Sequence, residues 1–386
     1  MNEVSTAADV LERAAPASSA ASVEALRRLP APAPSLGRKA YKRELWLALA
    51  TSPRRAWNYY KAKRNAKTSA DVDYLPTRMD VENVSRCNFH CTMCQVSDWP
   101  KQQRADDMSV EDFKRLLDEQ YGVVEIKLQG MGEPTLQGDA FFEMIRLARK
   151  RHIWVRTVTN ASLLHLKDNY KKLIDSGVNE VQISVDGADK QTFESIRRGS
   201  HFESVMRNIK MINAYCAEIG RFPTKMWTVV QRGNVHQLDG LVRLAAELGF
   251  KSQVFGLNLV DWGTERWHAI NDAVAMHDQF TVDQALELMA LGDQLGVTVR
   301  FWNMDEAYRT DEPARRCPWP FERAYVSSDM RVVPCCLIAN PDALELTNGK
   351  SLADAWKSEA YRNFRQAHIT GDMPQACRSC YDLRQN

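Results

Sequence analysis

The chain has 386 residues, 51 Lys and Arg against 49 Asp and Glu, 44% hydrophobic residues and nine cysteines. At ~150 residues per domain, that length means two or three units or one large α/β barrel with attachments. Charged residues at 26% and aromatic residues at 9% exclude a wholly disordered or collagen-like chain. No apolar run reaches the ~18 residues of a membrane-spanning helix. The opening MNEVSTAADVLERAAPASSAAS also lacks the apolar centre of a secretory signal. The expected location is the cytoplasm, where clustered cysteines bind metal or do redox chemistry more often than they pair as disulfides.

Residues 1–37, rich in Ala, Ser and Pro, read as a flexible tail. Residues 38–67 then hold ten Lys and Arg against one acid, Glu44, with Trp46, Trp57, Tyr59 and Tyr60 among them. Such a basic, aromatic-bearing helical segment (taken to extend to residue 75) either rests on an anionic membrane surface or polyanion, or packs its aromatics on the next domain. From Met79 onward, short β-branched runs alternate with helical ones. The predicted strands are Arg78–Val84, Val124–Gln129, Trp154–Thr159, Glu180–Asp186, Met226–Gln231 and Ser252–Leu257. Ser109 and Asp112 look like a capping box opening a helix that runs to about Gln120. Val205, Ile209, Ile212, Cys216 and Ile219 form one buried helix stripe. Six β-then-α units predict a parallel sheet with right-handed crossovers, curved toward a barrel, with chemistry at the carboxyl ends of the strands.

Immediately after the first strand the chain reads Ser85-Arg-Cys87-Asn-Phe-His-Cys91-Thr-Met-Cys94. Three thiolates from one loop can converge on a soft metal centre. A [4Fe–4S] cube held by three cysteines leaves one iron open, whereas zinc would need a fourth ligand such as His90. The C-x3-C-x2-C loop resembles the cluster motif of the radical S-adenosylmethionine (SAM) superfamily, and the resemblance spans roughly Met79 to Trp262. It implies an α/β fold with a partial (β/α)6 TIM-like barrel, and a SAM-binding [4Fe–4S] cluster at Cys87, Cys91 and Cys94. It further implies cofactor contacts from Gly130, Met131, Gly132 and Glu133 after the second strand and from Thr159 and Asn160 after the third. Ser184 and Asp186 would contribute after the fourth strand, with Arg197 just beyond and Gln253 on the sixth. The sequence departs from many members of the superfamily in carrying Met93, rather than an aromatic residue, before the third cysteine.

Five further cysteines, Cys317, Cys335, Cys336, Cys377 and Cys380, frame a hairpin-like stretch (Ala324–Val333) and a helical one (Leu352–His368). This arrangement resembles the small cysteine-rich α+β SPASM or twitch domain that carries auxiliary iron–sulfur clusters. It implies one auxiliary [4Fe–4S] cluster on Cys317, Cys335, Cys377 and Cys380, with structural zinc the alternative for four thiolates. Cys335 and Cys336, adjacent on an extended strand, would point to opposite sides, and the Pro-Cys pattern of such domains favours Cys335. Together the resemblances divide the chain into a tail (1–37), a basic helical segment (38–75), a partial barrel (76–300) and an auxiliary-cluster domain (301–386). They imply an oxidoreductase- or epimerase-type enzyme reduced by a donor such as flavodoxin or ferredoxin. The leftover Cys216 is a weak hydrogen-donor candidate, with a plain core role the stronger reading. The expected substrate is a polar, carbohydrate-like metabolite, because residues 1–75 show no strand-and-helix pattern of a leader-binding domain. The alternatives are a peptide-modifying maturase and, outside catalysis, an iron–sulfur scaffold, which would not need the SAM-contacting segments.

Overall fold

The computed structural model describes residues 25–100, 104–276, 279–303, 308–347, 351–378 and 380–381. Its centre is an open parallel sheet: β1 (Arg78–Val81), β2 (Glu125–Leu128), β3 (Trp154–Thr159), β4 (Glu180–Ser184), β5 (Thr224–Val229), β6 (Ser252–Gly256) and β7 (Thr298–Trp302). These strands pair in chain order. The six predicted strands are all present, and β7 adds a seventh. On the other edge, β8 (Arg323–Val326) pairs in parallel with β1 from Arg78↔Arg323 to Val81↔Val326. It turns back antiparallel into β9 (Val332–Val333), which is the predicted hairpin. The sheet remains open between its two edge strands, β7 and β9.

Crossover helices cover the sheet because their apolar residues recur at helical spacing. Ser109 caps the helix Val110–Glu119 by accepting from the Asp112 amide. Val205, Ile209, Ile212 and Cys216 are buried on the helix Phe202–Glu218, while Ile219, just past its end, is exposed. The predicted C-terminal helix is two, Leu352–Trp356 and Glu359–Thr370, because Ser358 starts a new N-cap.

The amino ends of the strands carry a buried ion network. Arg156 bridges Glu125 (3.0 Å) and Glu180 (3.3 Å), and Lys225 pairs with Glu180 at 3.0 Å. The chain's own N-terminal segment closes over this network. Lys225 donates to the Ala33 carbonyl (2.6 Å), the Ser35 amide to Glu180 (3.4 Å) and the Phe301 amide to the Pro30 carbonyl (3.0 Å). Leu26 and Leu29 join the core. Residues 25–37, expected as part of a flexible tail, are therefore fixed: charged groups at the barrel floor give proline-rich backbone carbonyls a partner that composition does not reveal. Residues 1–24, the rest of that expected tail, lie outside the described residues.

Two helices follow, α1 (Gly37–Ala50) and α2 (Pro53–Asn65). Both pack on the same floor: Tyr41 donates to Glu125 at 3.0 Å, and Arg149 pairs with Glu44 at 2.9 Å. The buried Arg55 donates to the carbonyls of Tyr121 (3.1 Å) and Arg151 (2.9 Å).

Candidate active site at the barrel mouth and the cysteine-lined cavity

The three-cysteine loop leaves the carboxyl end of β1. A two-residue ladder pairs His90–Cys91 with Arg197–Arg198. Strand alternation turns Cys91 inward and leaves His90 exposed, so His90 does not complete a zinc set. The three thiols lie close enough that ionising Cys91 or Cys94 would disfavour ionisation of Cys87. Burial pushes Cys87 and Cys94 up to about 12, so without a metal both are protonated at neutral pH. Three soft sulfur donors that ionise on ligation fit an iron–sulfur cluster with one open iron. Arg197 reaches the Cys91 sulfur (3.9 Å) and forms an ion pair with Asp186 (2.7 Å).

The Gly130–Pro134 loop is packed against this cysteine loop. The Glu133 amide donates to the Arg86 carbonyl at 2.9 Å. A Cβ on Gly132 would overlap the carbonyls of Val84 and Arg86, and one on Gly130 would overlap the Glu82 side chain. These glycines let two loops of the chain touch, a requirement that precedes any ligand. Glu82 went unnoticed in the sequence. Its carboxylate accepts from the amides of Met131 (3.0 Å) and Ser328 (3.3 Å), and burial pushes it up to about 7. An acid immediately after the first strand, one residue past Val81 and five before Cys87, was the available signal.

Several residues expected to touch the cofactor are committed to the protein instead. The Glu133 Oε1 accepts from the hydroxyls of Thr135 (2.6 Å) and Thr159 (2.7 Å), and Oε2 accepts from the Asn160 amide (2.7 Å). Thr159 is thereby a brace within the wall. Asn160 donates to Asn88 at 3.0 Å and approaches the Cys87 sulfur at 4.0 Å, tying β3 to the cluster loop. Asp186 is fully buried, accepting from the Val229 amide (2.8 Å) and pairing with Arg197, so direct contact with a ribose is not open to it. Gln253 is also fully buried near the start of β6, donating to Thr228 at 2.9 Å, below the mouth where an adenine would sit. Ser184 ends β4, and Met131 lies buried in the loop after β2.

Cys317, Cys335, Cys377 and Cys380 line one cavity together with Asn258, Asp261, His268 and Trp302. With its open mouth it encloses about 940 Å³. It lies between the segments that follow β6 and β7 (Asn258–Asp261 and Trp302) and the cysteine-bearing C-terminal segments. Burial and the neighbouring thiols, Cys336 first and then Cys377, Cys317 and Cys380, push Cys335 well up from the usual thiol range. Four convergent thiols fit a second cluster without an open iron. Cys335 and Cys336 lie on a turn after β9, not on an extended strand. Cys336 does not line the cavity, and the charges acting on it are Asp80, Lys127, Arg323 and Arg156 of the barrel. Cys216 is buried in the outer helix stripe, its thiol pushed up to about 11 by burial, and it does not line the cavity. The hydrogen-donor candidacy is thereby removed.

A radical SAM superfamily model matches residues 84–224, and a SPASM model, an iron–sulfur cluster-binding domain, matches residues 317–381. The chain is a radical SAM protein with a C-terminal SPASM domain. Its cofactors are a SAM-binding [4Fe–4S] cluster and auxiliary iron–sulfur. Among relatives, it is 27% identical over 325 residues to the PqqA peptide cyclase of Methylorubrum populi, covering 82% of this chain and 80% of that one. It is 28% identical over 206 residues to the mycofactocin maturase MftC of Mycolicibacterium smegmatis, covering 53% and 50%. Streptococcus suis SuiB, solved with its precursor peptide SuiA, shares the fold with a TM-score of 0.60 at 16% identity, covering 84% of this chain and 73% of SuiB. These relatives overturn the expectation of a carbohydrate-like metabolite. That expectation leaned on the missing leader-binding pattern in residues 1–75, yet the PqqA peptide cyclase matches this chain across most of its length. Among the described residues no helix is long and apolar enough to cross a membrane.

Proposed function

We propose that this radical SAM enzyme modifies a peptide. The observation that carries the reading is the match to the PqqA peptide cyclase across 82% of the chain. Supporting it, the cavity that holds the four C-terminal cysteines has an open mouth lined by Asn258, Asp261, His268 and Trp302, polar and aromatic groups able to meet a peptide.

In this reading Cys87, Cys91 and Cys94 hold the cluster that binds SAM, and Cys317, Cys335, Cys377 and Cys380 hold the auxiliary one. When bound there, the cluster would supply the one-electron reduction of SAM that radical chemistry of this class requires. The backbone of Gly130, Met131 and Gly132 and the hydroxyl of Ser184 form the cofactor wall. Glu133 and Asn160 hold that wall against the cysteine loop, which keeps the loop rigid through a reaction needing fixed geometry. Arg197, balanced by Asp186, places a positive charge beside Cys91 and favours its thiolate form. Buried walls such as Val84, Leu257 and Phe89 exclude water and stray hydrogen donors. The reductant is a small electron-transfer protein such as flavodoxin or ferredoxin, and the setting is cytoplasmic.

The test is anaerobic incubation of the reconstituted enzyme with dithionite, SAM and short peptides encoded beside its gene. A mass change in one peptide, matched by 5′-deoxyadenosine, is the expected result. Stoichiometric 5′-deoxyadenosine formation driven by a sugar or cyclitol, with every peptide unchanged, would overturn it.

A further inference from the structure

The six exposed large apolar side chains among the described residues are not scattered evenly: Trp46, Trp57 and Tyr60, exposed by 65%, 60% and 48%, all lie on α1 and α2. On α1 the exposed positions are Arg38, Lys39, Lys42, Arg43, Trp46 and Ala50. At 100° per residue they form one stripe, with Trp46 near its middle. On α2, Trp57 and Tyr60 stack at 5.3 Å, and the Arg64 guanidinium lies over the Tyr60 ring at 6.0 Å.

The face is cationic as well as aromatic. The lone acid of the segment, Glu44, is buried against Arg149. Lys61 and Lys63 are neutralised by Asp73 and Glu322. Arg38, Lys39, Lys42 and Arg64 have no acidic partner among the described residues. The inward-facing members of the segment, including Tyr41, Arg55 and Asn58, are the ones used for packing. One helical pair thus holds an inner set of side chains used for packing and an outer set that is cationic and aromatic.

Its position narrows the occupant. The helices bind the loops that enter β1, β2 and β3, through Leu75, Tyr121 and Arg151. Those loops lie at the amino ends of the strands, whereas the three-cysteine loop leaves the carboxyl end of β1. Strands of four to six residues at ~3.3 Å each set the two ends roughly 15–20 Å apart before loops are added. An electron donor docked here would face the wrong end, and a peptide held here would be far from the reacting atoms.

We propose that the outer face of α1 and α2 docks the enzyme on an anionic lipid bilayer. The aromatic rings would enter the headgroup region, with Arg38, Lys39, Lys42 and Arg64 against lipid phosphates and the barrel mouth turned toward the aqueous side. Trp and Tyr suit that boundary because each has an apolar body and a polar edge, and Lys and Arg add electrostatic attraction. The proposal is independent of the peptide reading, since it concerns the opposite end of the barrel.

The test is co-flotation of the full-length reconstituted enzyme with vesicles of phosphatidylcholine alone or with 30% phosphatidylglycerol. The expected result is binding to the anionic vesicles only, weakened at least tenfold by Trp46→Ala/Trp57→Ala and also by Lys39→Glu/Lys42→Glu. Unchanged SAM cleavage and circular dichroism would show that both variants fold. A blue shift of tryptophan emission on binding, lost in the double alanine variant, would support burial of the rings. No flotation at low salt would overturn the proposal. So would flotation that survives loss of both tryptophans, equal capture by heparin or nucleic acid, or a concentration-dependent dimer abolished by the same variants.

Discussion

Cys335 and Cys336 occupy neighbouring positions with different company. Cys335 shares a cavity with three thiols, while Cys336 sits among barrel charges. Replacing Cys335 with Ala should remove the auxiliary cluster and leave about half of the roughly eight irons expected for two cubes. Cys336→Ala should retain nearly all of them, as read by iron and sulfide analysis. Glu82 gives a prediction in pH. Burial raises its folded value to about 7 from an unfolded value of 4.5, so between these limits the folded chain holds a proton that the unfolded chain has lost. Its stabilising contribution is complete below pH 4.5 and declines as pH rises through about 7, by on the order of 3 kcal/mol. Urea midpoints of the cluster-free protein should fall over that window, and Glu82→Gln should flatten that part of the profile. At this scale the sequence was legible in its cysteines, because thiolate number and spacing constrain metal chemistry directly. It was less legible in its polar residues. Thr135 apart, the partners that occupy Glu133, Asp186 and Gln253 come from distant segments such as Thr159, Val229 and Thr228, and the consequence of burial appears only once those segments are assembled.

The loops and strands around the mouth show a different balance. Alternating β-branched and amphipathic runs revealed six strands of the barrel, since period and length carry that information locally. β7 was missed: Thr298–Trp302 carries Arg300, and it follows a helix at the point where the second domain was expected to begin. The fixed course of residues 25–37 was illegible for another reason, because proline-rich segments form few bonds of their own and these depend on Lys225, Glu180 and Phe301. The glycine loop makes the coupling between elements testable. Gly132→Ala places a methyl group against the Arg86 and Val84 carbonyls, which cannot move without shifting Cys87. The variant should assemble the auxiliary cluster normally and lose most of the first. Iron content near half that of the wild type, with at least a tenfold loss of SAM cleavage, is the expected pair of measurements.

Across the whole molecule, two thiol sites are joined through one sheet. If the auxiliary cluster accepts the electron left on the substrate radical, Cys377→Ala should leave SAM cleavage within about threefold of wild type while abolishing product. This follows because radical formation needs only the three-cysteine site and the final oxidation needs an acceptor nearby. Parallel assays of 5′-deoxyadenosine and modified peptide separate the two, and an intact first cluster with normal circular dichroism shows that the variant folds. The pairing of β8 with β1 also bears on attempts to dissect the protein. A chain ending after β7 would lose more than an auxiliary site: the strand that launches the cluster loop would become a bare sheet edge, its backbone groups open to pairing with another copy. Such a truncation should precipitate or self-associate before its chemistry can be assayed. Shuffling C-terminal lobes between relatives should succeed only where the exchanged piece brings a strand that fits alongside β1.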